Sequence, residues 1–172
     1  FGDYLRSGAM ASKSKIIPEV IKHASSGRFL LGICNGFQIL SEIGLLKGAL
    51  IQNQKLKFLG KDCFVKKKYR NKFNKLIKKD QVLQIPVAHN EGNFYCSNDD
   101  LNYLNNEELI AFEYCMGPFS NSNANINGSI NNIAGITNEK KNVLGMMPHP
   151  ERAYQNFHNS MDGKLIIESL IS

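Results

Sequence analysis

An uninterrupted apolar run from Phe29 to Ile33 leads directly into Cys34, and this junction constrains the fold more than any other part of the chain. Continuous apolar character over so short a stretch is typical of a strand buried on both faces of a sheet. Residues 37–43 then have helical spacing, with Gly44 as their predicted C-cap. Because a helical pattern over residues 13–26 precedes the strand, the order helix, strand, tight turn and helix predicts an α/β fold.

The rest of the chain alternates predicted strands with polar connections. Strands are predicted within residues 55–65, 81–88, 109–114, 133–137 and 143–147, and helices over residues 99–107 and 160–171. Asp99 or Asp100 is the predicted cap of the first of these helices. The Asn-, Ser- and Gly-rich segment 117–132 is predicted to be loop. Since no internal repeat or domain boundary is visible, residues 1–172 are predicted to form one domain.

Composition narrows the class of protein. Apolar residues make up 42% of the 172, enough for a packed core and too many for a disordered chain. No apolar run approaches the roughly 18 residues that cross a bilayer, and the first residues do not have the pattern of a secretory signal. Four cysteines without a CxxC pair predict neither a zinc site nor a disulfide framework, so a reducing compartment, the cytoplasm, is expected. Cys63, Cys96 and Cys115 are expected to be ordinary packed or surface thiols.

The net charge of +6 comes largely from one stretch. Residues 66–79 contain eight Lys and Arg side chains and no acidic residue, with Tyr69 and Phe73 between them. A solvated surface is the simplest interpretation, and an electrostatic docking surface for a partner protein is the next. Single-strand binders also interleave aromatics with basic residues, but we expect no nucleic-acid binding here.

The segment Gly32-Ile33-Cys34-Asn35-Gly36 has the G-x-nucleophile-x-G form of a nucleophile elbow. A nucleophile between a strand and a helix lies in a sharp turn, and glycines on either side let the two elements approach. The helix directs its positive N-terminal end toward the sulfur and favours the thiolate, the attacking species. The backbone N–H of Asn35 can point at an oxyanion formed beside Cys34. On this motif alone, a strand-end cysteine with incidental glycines stays an open alternative.

A cysteine nucleophile needs a base, and the chain has four histidines. His23 and His158 are expected at the surface. His89 and His149 each follow an apolar strand and each lies near a glutamate. Prolines on both sides of His149 restrict its backbone, and Glu151, two residues on, is placed to orient the ring. Spacing alone does not choose between His89 and His149.

Two motifs in combination carry a family resemblance: Gly-Ile-Cys-Asn-Gly-Phe-Gln at residues 32–38 and Pro-His-Pro-Glu-Arg at residues 148–152. Together they resemble the class I glutamine amidotransferases, in the variant that serves purine biosynthesis. Residues 2–9, 86–94 and 127–129 match the same family, so the resemblance runs essentially from end to end. It implies a flavodoxin-like three-layer α/β sandwich, a parallel-rich sheet between helices, with the nucleophile past the C-terminal end of a strand.

By that resemblance, Cys34 attacks the side-chain amide of glutamine. His149 acts as general base and then as acid to the departing ammonia, and Glu151 positions His149. A glutamyl thioester forms on Cys34 and is hydrolysed to glutamate. The residues implied to bind the oxyanion or the substrate are Asn35, Gly36, Gln38, Asn127, Gly128 and Ser129. The His89 segment is interpreted as structural or interfacial, with substrate contact as the alternative.

The resemblance also implies a partner. Ammonia passes to a separate synthetase subunit, which uses ATP and Mg²⁺ to convert formylglycinamide ribonucleotide to the amidine, and a small bridging subunit can join the complex. The chain itself is then expected to hold no metal or cofactor, to bind glutamine and to be a weak glutaminase without its partner. Neither nucleic acid nor membrane is an expected partner.

The chain departs from the family's pattern at its start. Members carry a first βαβ region and a Pro-Gly-Gly turn ahead of the segment that begins at Gly2, so the N-terminal strands are expected to be missing from this chain. That turn supplies a second oxyanion N–H, whose loss typically costs on the order of a hundredfold in rate. Three alternatives therefore stay open: an inactive remnant or scaffold for the synthetase, an amidotransferase serving another synthetase, and a cysteine hydrolase or protease with a similar elbow.

Overall fold

The computed structural model describes residues 7–118 and 124–171. Its helices are α1 (Ser7–Ala11), α2 (Ile17–Ser25), α3 (Asn35–Glu42), α4 (Asn98–Asn106) and α5 (Gly163–Ile171). Its strands are β1 (Leu30–Ile33), β2 (Ala49–Ile51), β3 (Leu59–Lys67), β4 (Val82–His89), β5 (Asn93–Tyr95), β6 (Ile110–Cys115), β7 (Ile133–Thr137) and β8 (Val143–Met146). Residues 2–6 of the matched segment 2–9, and residues 119–123 of the predicted loop, lie outside the described residues.

Six strands form the main sheet in the order β1-β8-β7-β6-β3-β4, and β2 pairs with β5 in a small ribbon. The β1–β8 pair is parallel, whereas the other neighbours in the main sheet are antiparallel. The described sheet is therefore mostly antiparallel, which differs from the parallel-rich sheet expected. For β7 and β8 the reason is the short connection between them, residues 138–142. Parallel strands need a crossover of a dozen residues or more, so strands joined by so few residues pair antiparallel.

Alternate side chains of the central strands enter two separate cores, one on each face of the sheet. Leu144 of β8 packs in the first core with Ile166 of α5. Val143, its neighbour along the strand, packs in the second core with Phe37 of α3 and Leu104 of α4. Because helices cover both faces, the architecture has the three layers that were expected. Across the described ranges, no helix is both long enough and apolar enough to span a bilayer.

The main sheet curls, so that its two outermost strands meet at one end. The Sγ of Cys34, just after β1, lies 3.7 Å from the carbonyl oxygen of Ala88 in β4. The N–H of His149, just after β8, donates to the carbonyl oxygen of Pro86 in β4 at 2.8 Å. The C-terminal ends of β1, β8 and β4 therefore enclose one small region.

Two local features differ from the sequence prediction. The cap of α4 is Ser97, whose Oγ accepts a hydrogen bond from the N–H of Asp100 at 3.1 Å. The prediction of Asp99 or Asp100 as the cap was therefore wrong, and the Asp100 carboxylate instead pairs with Lys47 at 3.1 Å. Strands β2 and β5 were not predicted, because three residues are too few to display an alternating pattern.

The basic stretch, residues 66–79, comprises the end of β3 and the connection to β4. Phe73 is fully buried in the core, so it is not available to stack on a base. Lys68 pairs with Glu113 at 3.1 Å. The stretch begins at the C-terminal end of β3, whereas the opposite end of that strand pairs with His89. It therefore lies at the end of the sheet away from Cys34.

Candidate active site

Cys34 lies between β1 and α3 in a backbone conformation that side chains rarely adopt. Its φ is 53° and its ψ is −107°, a region that costs non-glycine residues about 1–3 kcal/mol. Its N–H donates to the carbonyl oxygen of Met146 at 2.9 Å, which continues the pairing of β1 with β8. The residue is 6% exposed. The strained turn is thus fixed by the neighbouring strand, as the nucleophile-elbow motif predicts.

The two glycines of the elbow have different reasons to be glycine. A Cβ on Gly32 would lie 2.8 Å from the backbone carbon and oxygen of Gly36 and 2.4 Å from Cδ1 of Leu40. The strand and the helix therefore touch at Gly32. A Cβ on Gly36, in contrast, would meet no atom within 4 Å outside its own helix turn. Gly32 is therefore needed for packing, whereas the prediction that Gly36 also allows the close approach was wrong, because a side chain there would meet open space.

We expect Gly32→Ala to destabilise the protein and Gly36→Ala to leave its stability unchanged or slightly higher. Overpacking against a backbone typically costs about 1–3 kcal/mol, whereas an unstrained helical Gly→Ala change stabilises by about 0.4–1 kcal/mol. Denaturant unfolding of the two variants beside the wild type measures the difference. Equal loss of stability in both variants would contradict this account of the elbow.

A hydrogen-bond network fixes the first turn of α3. The side-chain nitrogen of Asn35 donates to Ser7 Oγ at 2.7 Å and to Gln38 Oε1 at 3.0 Å. Ser7 Oγ donates to the same Gln38 oxygen at 2.8 Å, and the Gln38 nitrogen donates to the carbonyl oxygen of Glu91 at 2.8 Å. The side chains of Asn35 and Gln38 thus tie α3 to α1 and to the connection after β4. Ser7 and Glu91 lie in two of the segments that match the family, but neither was predicted to be a site residue.

A cavity of about 500 Å³ adjoins this network. It is lined by Gly8, Gln38, Glu42, residues 49–52 and Glu91. Its volume falls within the range of small-molecule sites. The contribution of Gln38 to a glutamine pocket stays a prediction, since the lining of this cavity includes Gln38 but not Cys34.

His149 and Glu151 form a close pair on the turn after β8. The Nδ1 of His149 lies 2.6 Å from Oε1 of Glu151, and the imidazole is 2% exposed. The 3₁₀ turn Pro150–Arg152 places the two side chains on the same side. Gly163, the first residue of α5, lets that helix pack directly on the turn, since a Cβ there would lie 2.7 Å from Cα of Pro150. The pair is therefore held by tertiary packing as well as by the prolines.

The ionisation of Glu151 fits a residue that orients a histidine. Burial raises the pKa of the Glu151 carboxyl, but the hydrogen bond from His149 and the charges of His149 and Arg152 outweigh it and leave the pKa below its usual value. An ionised carboxylate accepts the Nδ1 proton and leaves Nε2 of the ring as the base. That Nε2 is buried and has no hydrogen-bond partner among the described residues.

The structure brings the predicted nucleophile and base to neighbouring strand ends. Ile33, before Cys34, is in register with Met146, three residues before His149. Both residues then contact β4, as described above. Neither His23 nor His158 shares this position, because His23 bonds to the Phe29 carbonyl and His158 accepts from the backbone of Tyr154. The arrangement can support nucleophilic attack by sulfur with assistance from an imidazole.

Residues 127–129 were predicted to lie in a loop that contacts substrate, but the side chains of Asn127 and Ser129 are buried. Asn127 donates to the carbonyl oxygen of Gly92 at 2.7 Å, and Ser129 Oγ donates to Asn127 Oδ1 at 2.8 Å. Gly128 has a positive φ of 97° and donates its N–H to Asn125 at 2.7 Å. These bonds tie the loop to β5. Contact with the amino-acid end of a substrate stays a prediction for these three residues.

His89 is anchored by Asn53, a residue that no sequence motif singled out. Its Nδ1 lies 3.0 Å from Oδ1 of Asn53, which follows β2 and is 1% exposed. Burial, and then the proximity of His149, lowers the pKa of His89 to about 4. His89 is therefore a neutral imidazole at neutral pH.

The other three cysteines are free thiols in structural positions. Burial raises the pKa of Cys63 far above its usual value and also raises the pKa values of Cys96 and Cys115. All three are therefore held as thiols, the unreactive form. The expectation that they are packed or surface thiols agrees with this placement.

Comparison with known proteins assigns the chain to a class. A family model described as "CobB/CobQ-like glutamine amidotransferase domain" matches residues 1–167, and the chain belongs to that family. Individual relatives within this family have more specific names. A protein of Pelagibacter ubique named "Phosphoribosylformylglycinamidine synthase subunit PurQ" is 47% identical over the whole chain and 76% of its own length. A protein of the same name from Koribacter versatilis is 47% identical over 99% of the chain and 75% of its own length.

A solved structure supports the same placement. The structure of PurLQS from Thermotoga maritima matches 99% of the chain and 73% of its own chain, with 38% identity and a TM-score of 0.84. The expected three-layer fold of a class I glutamine amidotransferase is thereby confirmed. The resemblance stated from the motifs is confirmed as well, since the chain belongs to a glutamine amidotransferase family and both named relatives are phosphoribosylformylglycinamidine synthase subunits.

Proposed function

We propose that this protein is the glutaminase subunit of phosphoribosylformylglycinamidine synthase. It hydrolyses glutamine to glutamate and ammonia. A synthetase subunit uses that ammonia and ATP to convert formylglycinamide ribonucleotide to formylglycinamidine ribonucleotide in de novo purine biosynthesis. The observation that carries the proposal is the strained Cys34 elbow beside the buried His149–Glu151 pair, in a chain with PurQ relatives over its full length.

In this proposal the three side chains of Cys34, His149 and Glu151 carry out the chemical steps. His149 Nε2 takes the proton of the Cys34 thiol, and the sulfur attacks the amide carbon of glutamine. The tetrahedral oxyanion is stabilised by N–H groups at the start of α3, including that of Asn35. When the C–N bond breaks, His149 returns the proton to the nitrogen, ammonia leaves, and a thioester remains on Cys34. Water activated by His149 then hydrolyses the thioester to glutamate.

Glu151 acts through His149 in this scheme. Its carboxylate holds the ring in the tautomer that leaves Nε2 as the base, and it stabilises the imidazolium that forms after proton transfer. Because Glu151 is half-exposed and His149 is buried, solvent reaches the carboxylate and not the reacting nitrogen. The reacting nitrogen is therefore shielded from bulk solvent before substrate binds, while its orienting acid stays ionised.

The partner assignments rest on the relatives. The relatives are named as a synthase subunit, and the solved neighbour is a PurLQS complex, so we assign a synthetase subunit and a small bridging subunit as partners. ATP and Mg²⁺ belong to the synthetase subunit in this proposal. We assign the protein to the cytoplasm, because a reducing compartment suits its free cysteines.

The experiment that tests the proposal is glutamate release from glutamine by the natural full-length protein, with and without its synthetase subunit. We expect slow release alone and a clear acceleration in the assembled complex, together with amidine formation that depends on glutamine. Equal turnover with and without the synthetase would contradict the coupling. Cleavage of peptides with no action on glutamine would contradict the function itself and favour a cysteine protease.

A further inference from the structure

The His89 ring has one nitrogen whose role the mechanism above leaves unused. His89 is the last residue of β4 and is 2% exposed. Its Nε2 is buried and has no hydrogen-bond partner within the part of the chain that the structure describes. Among those residues, three buried side-chain polar atoms lack a partner, and two of them are the Nε2 atoms of His89 and His149. Buried polar atoms are normally paired, so this one needs an explanation.

The hydrogen bonds of Asn53 determine which nitrogen of His89 carries the proton. The Asn53 side-chain nitrogen donates to two carbonyl oxygens, those of His89 and Lys57, each at 2.9 Å. The Asn53 Oδ1 accepts from the N–H of Gly92 at 3.1 Å. Flipping the amide would break all three bonds, so Oδ1 is fixed as the atom that faces His89. An amide oxygen only accepts, and therefore Nδ1 of His89 carries the proton and Nε2 is a bare acceptor.

The ring is also held in place by packing. A Cβ on Gly92 would lie 2.2 Å from Cε1 of His89 and 2.3 Å from its Nδ1, so this glycine fits closely against the ring edge. The bond to Asn53 and the contact with Gly92 together leave the imidazole no room to turn its unpaired nitrogen elsewhere. Burial keeps the ring neutral, since the pKa of His89 is lowered to about 4. The acceptor is therefore permanent at neutral pH.

His89 lies on the strand whose backbone contacts Cys34 and His149. The carbonyl oxygen of Ala88, the residue before it, is 3.7 Å from Cys34 Sγ. The backbone of His149 bonds to Pro86, three residues earlier on the same strand. The electrostatic effect of His149 on the pKa of His89 also reflects their proximity. An uncharged acceptor is thus carried by the residue next to Ala88, at the end of the strand that contacts both Cys34 and the backbone of His149.

We propose that Nε2 of His89 accepts an N–H from the amide nitrogen of glutamine as that nitrogen leaves as ammonia. This inference rests on the proposed glutaminase function. The lone pair of the leaving nitrogen takes its proton from His149, and its two original N–H groups need acceptors. The C–N electron pair goes to nitrogen, the oxyanion collapses to the thioester carbonyl, and His89 exchanges no proton. Its acceptor also distinguishes the amide from the carboxylate product, which has no N–H to donate.

The test compares two substitutions of equal length in the full-length protein assembled with its synthetase subunit. His89→Gln keeps an acceptor oxygen close to the position of Nε2, whereas His89→Met fills the same space without one. We expect kcat for glutamine to fall by about 10²-fold in His89→Met and by clearly less in His89→Gln, and KM to rise in His89→Met because the same acceptor also contacts the intact amide. Equal kcat values in the two variants would overturn the proposal.

A second measurement separates this role from a structural one. A glutamine-shaped chloromethyl ketone alkylates a cysteine without releasing an amine, so its reaction with Cys34 does not need an acceptor for an N–H. We expect both variants to be labelled at the wild-type rate. Labelling that falls in proportion to kcat would show that His89 only maintains the site, and would overturn the proposal. A wild-type protein that is neither labelled nor active on glutamine would instead refute the glutaminase function.

Discussion

Replacing Cys34 by alanine is expected to abolish glutamine hydrolysis, with a loss of about 10⁴-fold or more in kcat. The reason is that the thioester cannot form without the sulfur, while the remaining site offers only orientation and oxyanion contacts. Glutamate release by the assembled complex measures the loss. Synthesis of the amidine from free ammonia should survive, because the synthetase subunit does not need the nucleophile.

Cys115→Ala is the matched control, since Cys115 is the cysteine outside the site that is not fully buried. It should keep wild-type activity and wild-type labelling by the chloromethyl ketone. Retained glutaminase activity in Cys34→Ala would show that the nucleophile lies elsewhere.

Backbone strain gives an independent check: Cys34→Gly should be more stable than Cys34→Ala, because glycine adopts a φ of 53° and a ψ of −107° without the Cβ clash.

Replacing His149 by asparagine is expected to lower kcat for glutamine by about 10³-fold or more. A positioned acid–base group typically contributes 10²–10⁴-fold, and here the same ring both activates the sulfur and protonates the leaving nitrogen. Steady-state kinetics of the assembled complex measure the effect, which should lie in kcat more than in KM. Glu151→Gln should cost less than His149→Asn, because Glu151 acts only through the imidazole.

His23→Asn is the control for a histidine lost at a distance. His23 bonds to the carbonyl oxygen of Phe29 near the start of β1, at the end of the strand opposite Cys34. Its substitution should leave kcat unchanged. A loss in Glu151→Gln as large as that in His149→Asn would show that the carboxylate does more than position the ring.

The parts of the site that are local in sequence were predictable. An apolar run followed by Gly-x-Cys-x-Gly specifies a strand, a sharp turn and a helix, and Cys34 lies in that turn. Glu151 is two residues from His149, so a single 3₁₀ turn is enough to bring the pair together. Gly32 was expected to allow close approach of strand and helix, and the contact with the backbone of Gly36 shows it. Short-range geometry follows from residue type because few backbone conformations are accessible.

The choice between His89 and His149 as the catalytic base could not be made from local sequence. Both His89 and His149 follow apolar strands and lie near a glutamate, and spacing does not distinguish them. The structure pairs His149 with its nearby glutamate, whereas His89 pairs with Asn53, which is 36 residues away in sequence. The mostly antiparallel sheet was likewise not predicted from the sequence, because the direction of neighbouring strands depends on which strands pair in the folded protein.

The sequence by itself determined the class of protein, the nucleophile motif and the local His149–Glu151 pair, because each depends on residues that are neighbours along the chain. Only the tertiary structure decided that β4 meets the ends of β1 and β8, and so that Ala88 lies beside Cys34. It also decided which nitrogen of His89 is protonated, through Asn53. These contacts join distant segments, and their geometry is fixed by the packing of the whole sheet, which no local pattern records.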